Sequence, residues 1–220
     1  MPSTVVHVAL AGLVGTALLA DDFDGRSILV VMAATAFLDL DVFVGLVIPG
    51  THRAAFHTLL LPVALGAILA WDVRVRGSER SRVRARWGGR GVRVGWVTLV
   101  AVTFAGIGLD LFFNGVNLFY PVYDRFYTVS GELLYSNQRG LVQTFVEFDF
   151  LTEEVASGGQ GETVRTTENT HYRTGVDPSR GRETENVERI FPVAMSGERL
   201  LLALTGYTVV GIRLWQERRS

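Results

Sequence analysis

The sequence predicts an all-α integral membrane bundle of about five transmembrane helices, joined to a small polar, partly β extramembrane domain. Three observations support this fold class. Hydrophobic residues make up 48% of the 220 residues and the mean hydropathy is +0.27, which is high for a soluble domain of this length. Five apolar runs approach the length needed to cross a bilayer. By contrast, residues 122–199 carry 13 acidic residues against 8 arginines and hold no long apolar run.

The chain therefore divides into three predicted parts. Residues 1–121 form a transmembrane metal-site domain of four helices, residues 122–199 form the polar domain, and residues 200–220 form a last transmembrane helix with a basic tail. Short strands are expected in the polar domain, around the sequences ELLY and LVQTFVEF, with SGGQGE as a flexible linker. The chain has no cysteine, which excludes disulfides, thiolate zinc ligands and cysteine nucleophiles.

The predicted spans are apolar runs bounded by polar or helix-breaking residues. The first, 5–20, lacks the basic start and the cleavage site of a signal peptide, so we expect a retained helix. The second, 28–48, ends at the pair Pro49 and Gly50, which cannot continue a helix. The remaining spans are predicted at residues 54–71, 94–119 and 200–215.

Acidic and imidazole side chains interrupt the second and third spans. Asp39 and Asp41 are two residues apart, so on an ideal helix they point about 200° apart. Both can face one ion only if the helix is broken there, and we expect a distorted helix end. His52 is expected just before the third helix and His57 within it.

The distribution of arginine predicts the orientation in the membrane. Residues 72–93, between the third and fourth spans, hold eight arginines and two acidic residues, which favours a cytoplasmic position. With five spans, the amino terminus and residues 122–199 are then outside and the carboxyl terminus is cytoplasmic. We expect a multi-pass plasma-membrane protein whose arginines contact anionic lipids. No aromatic pattern or motif supports binding to nucleic acid.

This helix order brings ligand-type side chains from four helices to one membrane face. A charged group in hydrocarbon costs several kcal/mol unless it is paired or bound to metal. Carboxylates combined with imidazoles are typical ligands of zinc, manganese and iron. We expect zinc, with manganese or iron as alternatives. For any one histidine, a hydrogen bond to a neighbouring helix is the competing interpretation. The predicted metal ligands are His7, Asp39, Asp41, His52, His57 and Asp110.

These residues lie in four short motifs that resemble the YdjM-like family of membrane-bound metal-dependent hydrolases. Members of that family carry a Thr-His motif followed by Gly, a Pro-Asp-x-Asp-His motif, a His-Arg-Gly-x-Thr-His-Ser motif, and a later His and Asp before Gly-Val. The counterparts here are Val6 and His7 with Gly12, LDLDV at 38–42, HRAAFHT at 52–58, and GIGLD at 106–110 followed by Gly115 and Val116. The resemblance covers roughly residues 4–121.

The resemblance implies a reaction class. The family's ligands are analogous to those of zinc-dependent phospholipase C and nuclease enzymes, which implies hydrolysis of phosphoesters or lipid-like substrates by metal-activated water. However, Val42 and Gly106 replace two histidines of the family pattern, and Ala54 replaces a glycine. These departures leave open a non-catalytic alternative: a metal or proton conduit, or a scaffold that retains a degenerate metal site.

Roles within the predicted site follow from side-chain chemistry. One of Asp39, Asp41 and Asp110 is expected to act as a general base. Arg53 either binds a substrate phosphate or extends to the lipid headgroups. His171, in the polar domain, is predicted to belong to the surface structure.

Overall fold

In a computed structural model, the residues described are 3–77, 79–131, 133–144, 164–179 and 186–219. The helices in this part of the chain are α1 (Thr4–Leu19), α2 (Gly25–Leu38), α3 (Asp41–Gly45), α4 (Leu60–Ala70), α5 (Arg82–Ala101), α6 (Leu109–Phe113) and α7 (Gly197–Glu217). A 3₁₀ turn, Ala20–Asp22, follows α1. One π-helical segment, Trp71–Val75, extends α4, and another, Val102–Gly108, joins α5 to α6.

The mostly helical architecture agrees with the sequence prediction. Within the described residues, three helical stretches are long and apolar enough to cross a membrane: Thr4–Asp22, Gly25–Gly45 and Arg82–Phe113. The regions predicted as the third and fifth spans are also helical, as α4 and α7. That these two helices cross the membrane as well stays a prediction.

The predicted start of the third helix was wrong. The helix begins at Leu60, and residues 51–59 form a loop, so that both His52 and His57 precede the helix. The loop begins with a local turn, in which Ala55 N donates to the Thr51 carbonyl, and a tertiary hydrogen bond then holds it, because the Arg53 carbonyl accepts from Asn117 N at 2.9 Å. Arg53 also has a φ of 64°, which is incompatible with a continuous right-handed helix.

The fourth helix also differs from its prediction, since it begins at Arg82, inside the stretch expected to be a loop, and ends at Phe113. Its start is capped by the Ser81 hydroxyl, which accepts from Arg84 N at 3.1 Å. The Asp72 carboxylate accepts from the backbone of Arg82 at 3.0 Å. These acceptors satisfy amide groups that a helix start leaves without partners.

The predicted break in the second span is confirmed. Helix α2 ends at Leu38, a two-residue turn follows, and α3 starts at Asp41. The two ends of the helical bundle carry different groups. At one end, Asp22 pairs with Arg93 at 3.1 Å, and at the other end lie the break in the second span and the start of α1.

Apolar side chains fill the bundle between its two ends. The largest cluster contains Ala11, Leu19, Phe23, Ile28, Val31, Val97, Ala101, Ala105 and Val210. Helix α1 packs tightly against α7, where a Cβ on Gly206 would collide with the Ala9 carbonyl. This close approach of small residues is the usual means of joining helices in membranes.

The polar stretch is partly described. Strands β1 (Leu133–Ser136) and β2 (Gly140–Gln143) form an antiparallel hairpin, which confirms the strands predicted around ELLY and the start of LVQTFVEF. The rest of LVQTFVEF and the predicted linker SGGQGE lie outside the described residues. Residues 164–177 pack over the end of the bundle that carries the break in the second span. The division into three domains stays a prediction.

Candidate metal centre

Four ligand-type side chains meet at one end of the bundle. His7 comes from the first two turns of α1, Asp39 from the turn after α2, His57 from the loop before α4, and Asp110 from α6. Each offers one ligand atom, and these atoms all lie within 4.8 Å of one another. The π-helical segment Val102–Gly108 directly precedes α6 and changes the helical phase at which Asp110 is presented.

The separations within this group suit metal ligands better than hydrogen bonds. His57 Nε2 lies 3.5 Å from Asp39 Oδ1 and 3.3 Å from Asp110 Oδ2. The two ring nitrogens of His7 lie 3.4 Å from Asp39 Oδ2 and 3.4 Å from Asp110 Oδ1, so one of them can serve an ion. Ligands about 2.0–2.1 Å from a tetrahedral zinc ion are about 3.3 Å apart. These pairwise contacts are therefore as short as ligand separations around zinc, whereas one ligand atom from each of the four residues brings the set to within 4.8 Å.

Several polar atoms of these side chains are buried without a hydrogen bond. They are both ring nitrogens of His7, Asp39 Oδ2, His57 Nε2 and both carboxylate oxygens of Asp110, of which Oδ1 lies 3.0 Å from Arg53 Nη2. A buried polar atom without a hydrogen bond costs about 1–3 kcal/mol, and a charged one costs more. A divalent cation would satisfy one atom of each residue, including one of the two ring nitrogens of His7. The donor set thus fits a metal ion.

The local charge also favours a divalent cation. Among the described ion pairs of Asp39, Asp41 and Asp110, the one guanidinium is that of Arg53, whose Nη2 lies 3.0 Å from Asp110 Oδ1. With neutral imidazoles, three carboxylates and one guanidinium leave an excess of two negative charges. Such an excess in a buried site is costly unless a cation compensates it.

Asp41 lies behind the four-residue group and organises it. Its side chain is fully buried, and Oδ2 lies 2.8 Å from His57 Nδ1. The same oxygen accepts from the backbone N of Arg53 at 2.9 Å, and Oδ1 lies 2.7 Å from His52 Nδ1. A carboxylate on one nitrogen of a histidine fixes the tautomer and directs the other nitrogen to the ion. Here, His57 Nε2 faces Asp39 and Asp110.

The structure thus brings together His7, Asp39, His57 and Asp110 from the six predicted ligands. Asp41 and His52 are adjacent to this group through their contacts with His57 and with each other. Spacing along the chain cannot predict that Asp39 joins the four-residue group while Asp41 lies beside it, because both aspartates lie at the same helix break. Whether Asp41 or His52 also ligates an ion stays a prediction.

At two positions, 42 and 106, this chain lacks a histidine of the family pattern, and the structure shows what each residue contacts. Val42 lines the cavity beside Asp39. Gly106 packs against α2, where an added Cβ would collide with the Leu38 Cδ1 atom. A larger residue at position 106 would therefore need a wider separation between the helices. The four-residue group forms without a side chain from either position.

Tyr172 packs against two residues beside the four-residue group, a contact that sequence analysis missed. Its ring centroid lies 4.7 Å from Arg53 Cζ and 6.2 Å from the ring centroid of His52. The hydroxyl donates to the Asn114 carbonyl at 2.8 Å and accepts from Arg165 Nη2 at 2.6 Å. Burial raises the pKa of Tyr172, which keeps the hydroxyl protonated as a donor. Tyr172 lies in a stretch without motif or periodicity, so no sequence signal marks it.

A cavity of about 180 Å³ opens next to the centre. Asp39, with a side chain 18% exposed, and His52, at 12%, reach its wall. Arg53 also lines it and is 2% exposed. Arg53 is therefore buried in the protein and does not extend to the headgroups, and its role in binding a substrate phosphate stays a prediction. Further lining comes from Ser3, Thr4, Val42, Arg173, Thr174, Gly175, Val176, Phe191 and Pro192.

His171 is not among the four side chains of the group. Its Nδ1 is 3.8 Å from Asp177 Oδ2, and its ring borders a surface depression with Arg165, Asn169 and Thr170. The side chain is 14% exposed and its Nε2 is buried, so the assignment of His171 to the surface structure stays a prediction. Its neighbour in sequence, Tyr172, is the residue that reaches the centre.

Comparison with known proteins supports the assignment indicated by the motifs. A family model described as YdjM inner membrane protein matches residues 1–163, well over half of the 220 residues. The match includes His7, Asp39, His57 and Asp110 and ends before Tyr172. Neither the curated proteins nor the solved structures contain a significant match. The chain belongs to the YdjM inner membrane protein family.

Proposed function

We propose that this protein is a membrane-bound, metal-dependent hydrolase of phosphoesters. The observation that carries the proposal is the buried group of two imidazoles and two carboxylates, His7, Asp39, His57 and Asp110, beside an open cavity. A purely structural metal site is usually closed, whereas a catalytic site keeps access for water and substrate. Zinc is the proposed ion, with manganese or iron as alternatives.

The chain's own residues have distinct roles in this proposal. His7, Asp39, His57 and Asp110 would hold the ion, and Asp41 positions His57. A divalent ion supplies the acidity that makes water nucleophilic near neutral pH. Arg53, buried at the cavity wall, offers a guanidinium to the phosphate oxygens.

Asp39 is the proposed general base, through the carboxylate oxygen that does not hold the ion. Both oxygens of Asp41 have close partners, and Asp110 is 1% exposed and paired with Arg53. Asp39 is the carboxylate of the group that reaches the cavity, where it can accept a proton from water. The water oxygen then bonds to phosphorus as the bond from phosphorus to the ester oxygen breaks. The leaving alkoxide takes up a proton, so that one water is consumed for each ester cleaved.

The arrangement of the bundle weighs against the conduit alternative. A conduit needs polar groups that continue from the centre toward the opposite end of the bundle. Between the two ends, the described core contains apolar side chains such as Leu19, Val31 and Ala101 together with the hydroxyls of Thr16 and Thr98, but no buried ionisable side chain. A scaffold with a degenerate metal site remains the competing function, and activity distinguishes it from a hydrolase.

The proposed topology has five spans, with the centre at the outer face and the carboxyl terminus in the cytoplasm. Arginines flank the opposite end, where Arg90 and Arg93 pair with the turn after α1. Because the chain has no cysteine, single cysteines report topology directly. In intact spheroplasts, an impermeant maleimide should label Glu168→Cys and spare Arg84→Cys. The reverse pattern would overturn this orientation.

Hydrolysis is tested with purified, zinc-loaded protein and the chromogenic substrates p-nitrophenyl phosphate and bis(p-nitrophenyl) phosphate. We expect turnover of at least one, loss of turnover after chelation, and recovery after readdition of zinc. Asp39→Asn should abolish turnover, while Asp22→Asn, on the opposite end of the bundle, should leave it unchanged. Metal-loaded protein that hydrolyses neither substrate, also with manganese or iron, would favour the scaffold.

A further inference from the structure

A run of exposed apolar residues precedes α7 at the end of the bundle that carries the metal centre. We name residues 190–195 the apolar rim. Ile190 is 58% exposed, Phe191 66%, Val193 60% and Met195 61%. In water this exposure would be unfavourable, at about 25 cal/mol per Å² of apolar surface. In a membrane protein, it indicates contact with lipid chains at the level where α7 enters the bundle.

The apolar rim contributes to the lining of the cavity beside the metal centre. Phe191 and Pro192 belong to this lining, together with Asp39, His52 and Arg53. The cavity thus combines apolar side chains with charged and ligand-type groups. A ligand that matches both kinds of group carries an anionic group and a hydrocarbon chain.

The cavity is too small for a whole lipid. Its volume is about 180 Å³, whereas pockets for drug-sized ligands are about 300–1,000 Å³. It can hold a phosphate and the first atoms attached to it. The hydrocarbon chain of such a ligand must therefore lie outside the cavity, and the apolar rim is the surface next to the opening.

Specific contacts hold the apolar rim in place. The Phe191 ring packs on Gly175, where an added Cβ would lie 2.5 Å from Phe191 Cε1. Arg189 Nη1 donates to the carbonyls of Gly175 at 3.0 Å and Val176 at 3.2 Å. The Ser3 hydroxyl, at the start of α1, donates to the Val193 carbonyl. These contacts tie the rim both to Gly175 and Val176, which also line the cavity, and to the start of the helix that carries His7.

From this arrangement we infer that the substrate is a lipid phosphate, with its phosphate at Arg53 and the metal centre and its chain leaving over the apolar rim into the bilayer. This inference rests on the proposed hydrolase function and specifies its substrate class. A soluble phosphoester has the same phosphate chemistry but has no hydrocarbon chain to contact the apolar rim. The rim residues are thus specificity-determining, while the centre provides the chemistry.

The test compares lipid binding and turnover in two matched variants. Phe191→Asp places a charge on the rim, and Val122→Asp places one at a residue that is 82% exposed and absent from the described lining of the cavity. Binding of fluorescent dioleoyl phosphatidic acid to zinc-loaded protein in micelles is measured against diolein, which has the same chains without phosphate, and against glycerol 3-phosphate as a competitor. A third variant, Gly175→Ala, displaces the ring by contact without adding charge.

We expect phosphatidic acid to bind the wild type and Val122→Asp equally, and Phe191→Asp to weaken binding at least about tenfold. Gly175→Ala should weaken it in the same direction. Diolein should bind poorly, and glycerol 3-phosphate should compete only at much higher concentration. Equal binding by Phe191→Asp and the wild type, or equal competition by glycerol 3-phosphate, would overturn the inference.

The same samples separate this inference from the proposed function. If phosphatidic acid binds in the Phe191-dependent way but no substrate is hydrolysed, the lipid site stands and the hydrolase function fails. If p-nitrophenyl substrates are hydrolysed but Phe191→Asp binds phosphatidic acid as well as the wild type does, the hydrolase function stands and the lipid inference fails.

Discussion

His57 Nδ1 lies 2.8 Å from Asp41 Oδ2, and this contact directs His57 Nε2 to Asp39 and Asp110. Asp41 comes from the start of α3, immediately after the helix break that also presents Asp39. A single interruption of the second helix thus supplies one carboxylate to the candidate metal shell and another to the histidine that completes it.

Asp41→Asn should weaken metal binding about 10–100-fold, the usual effect of removing a carboxylate that orients a metal-bound histidine. The amide keeps the size of the side chain but offers one oxygen in place of two to His52, His57 and the backbone of Arg53. Competition titration against a chromogenic zinc chelator measures the affinity. Asp22→Asn serves as the control, because Asp22 pairs with Arg93 at the opposite end of the bundle. Unchanged zinc affinity in Asp41→Asn would refute the positioning role.

That His7, Asp39, His57 and Asp110 meet at one end of the bundle could be predicted from the sequence, because apolar runs locate the helices and their alternating direction decides which ends meet. The start of α4 could not be predicted from the sequence, since the loop before it is stabilised by hydrogen bonds to distant residues such as Asn117. The different positions of Asp39 and Asp41 depend on a two-residue turn between helices. The contact of Tyr172 with Arg53 joins positions far apart in the chain and leaves no local pattern.

Gly50→Ala should destabilise the protein more than Gly77→Ala. Both glycines have positive φ, 85° and 77°, so both substitutions carry a strain of about 1 kcal/mol or more. An added Cβ at Gly50 would in addition collide with the Thr167 carbonyl, whereas at Gly77 no described atom lies within 4 Å. Thermal unfolding of the two variants in the same detergent measures the difference. Equal midpoints would mean that residues 164–177 do not pack on this loop.

Tyr172→Ala should release bound zinc several-fold faster than the wild type, because the ring packs against Arg53 and His52 beside the four-residue group. Tyr172→Phe keeps the ring and loses the hydrogen bond to the Asn114 carbonyl, so its release rate should lie closer to that of the wild type. Stopped-flow transfer of zinc to a fluorescent chelator gives the rates. If Tyr172→Ala and the wild type release zinc equally fast, Tyr172 does not limit access to the centre.

The central claim is that His7, Asp39, His57 and Asp110 bind one metal ion, and elemental analysis of purified protein tests it most directly. The wild type should contain about one zinc, manganese or iron ion per chain, or take one up after chelation and readdition. His57→Ala should lose most of this metal, while His171→Ala, which removes a side chain outside the group of four ligands, should keep it. A wild type that neither contains nor takes up stoichiometric metal, or equal occupancy in the wild type and His57→Ala, would contradict the claim.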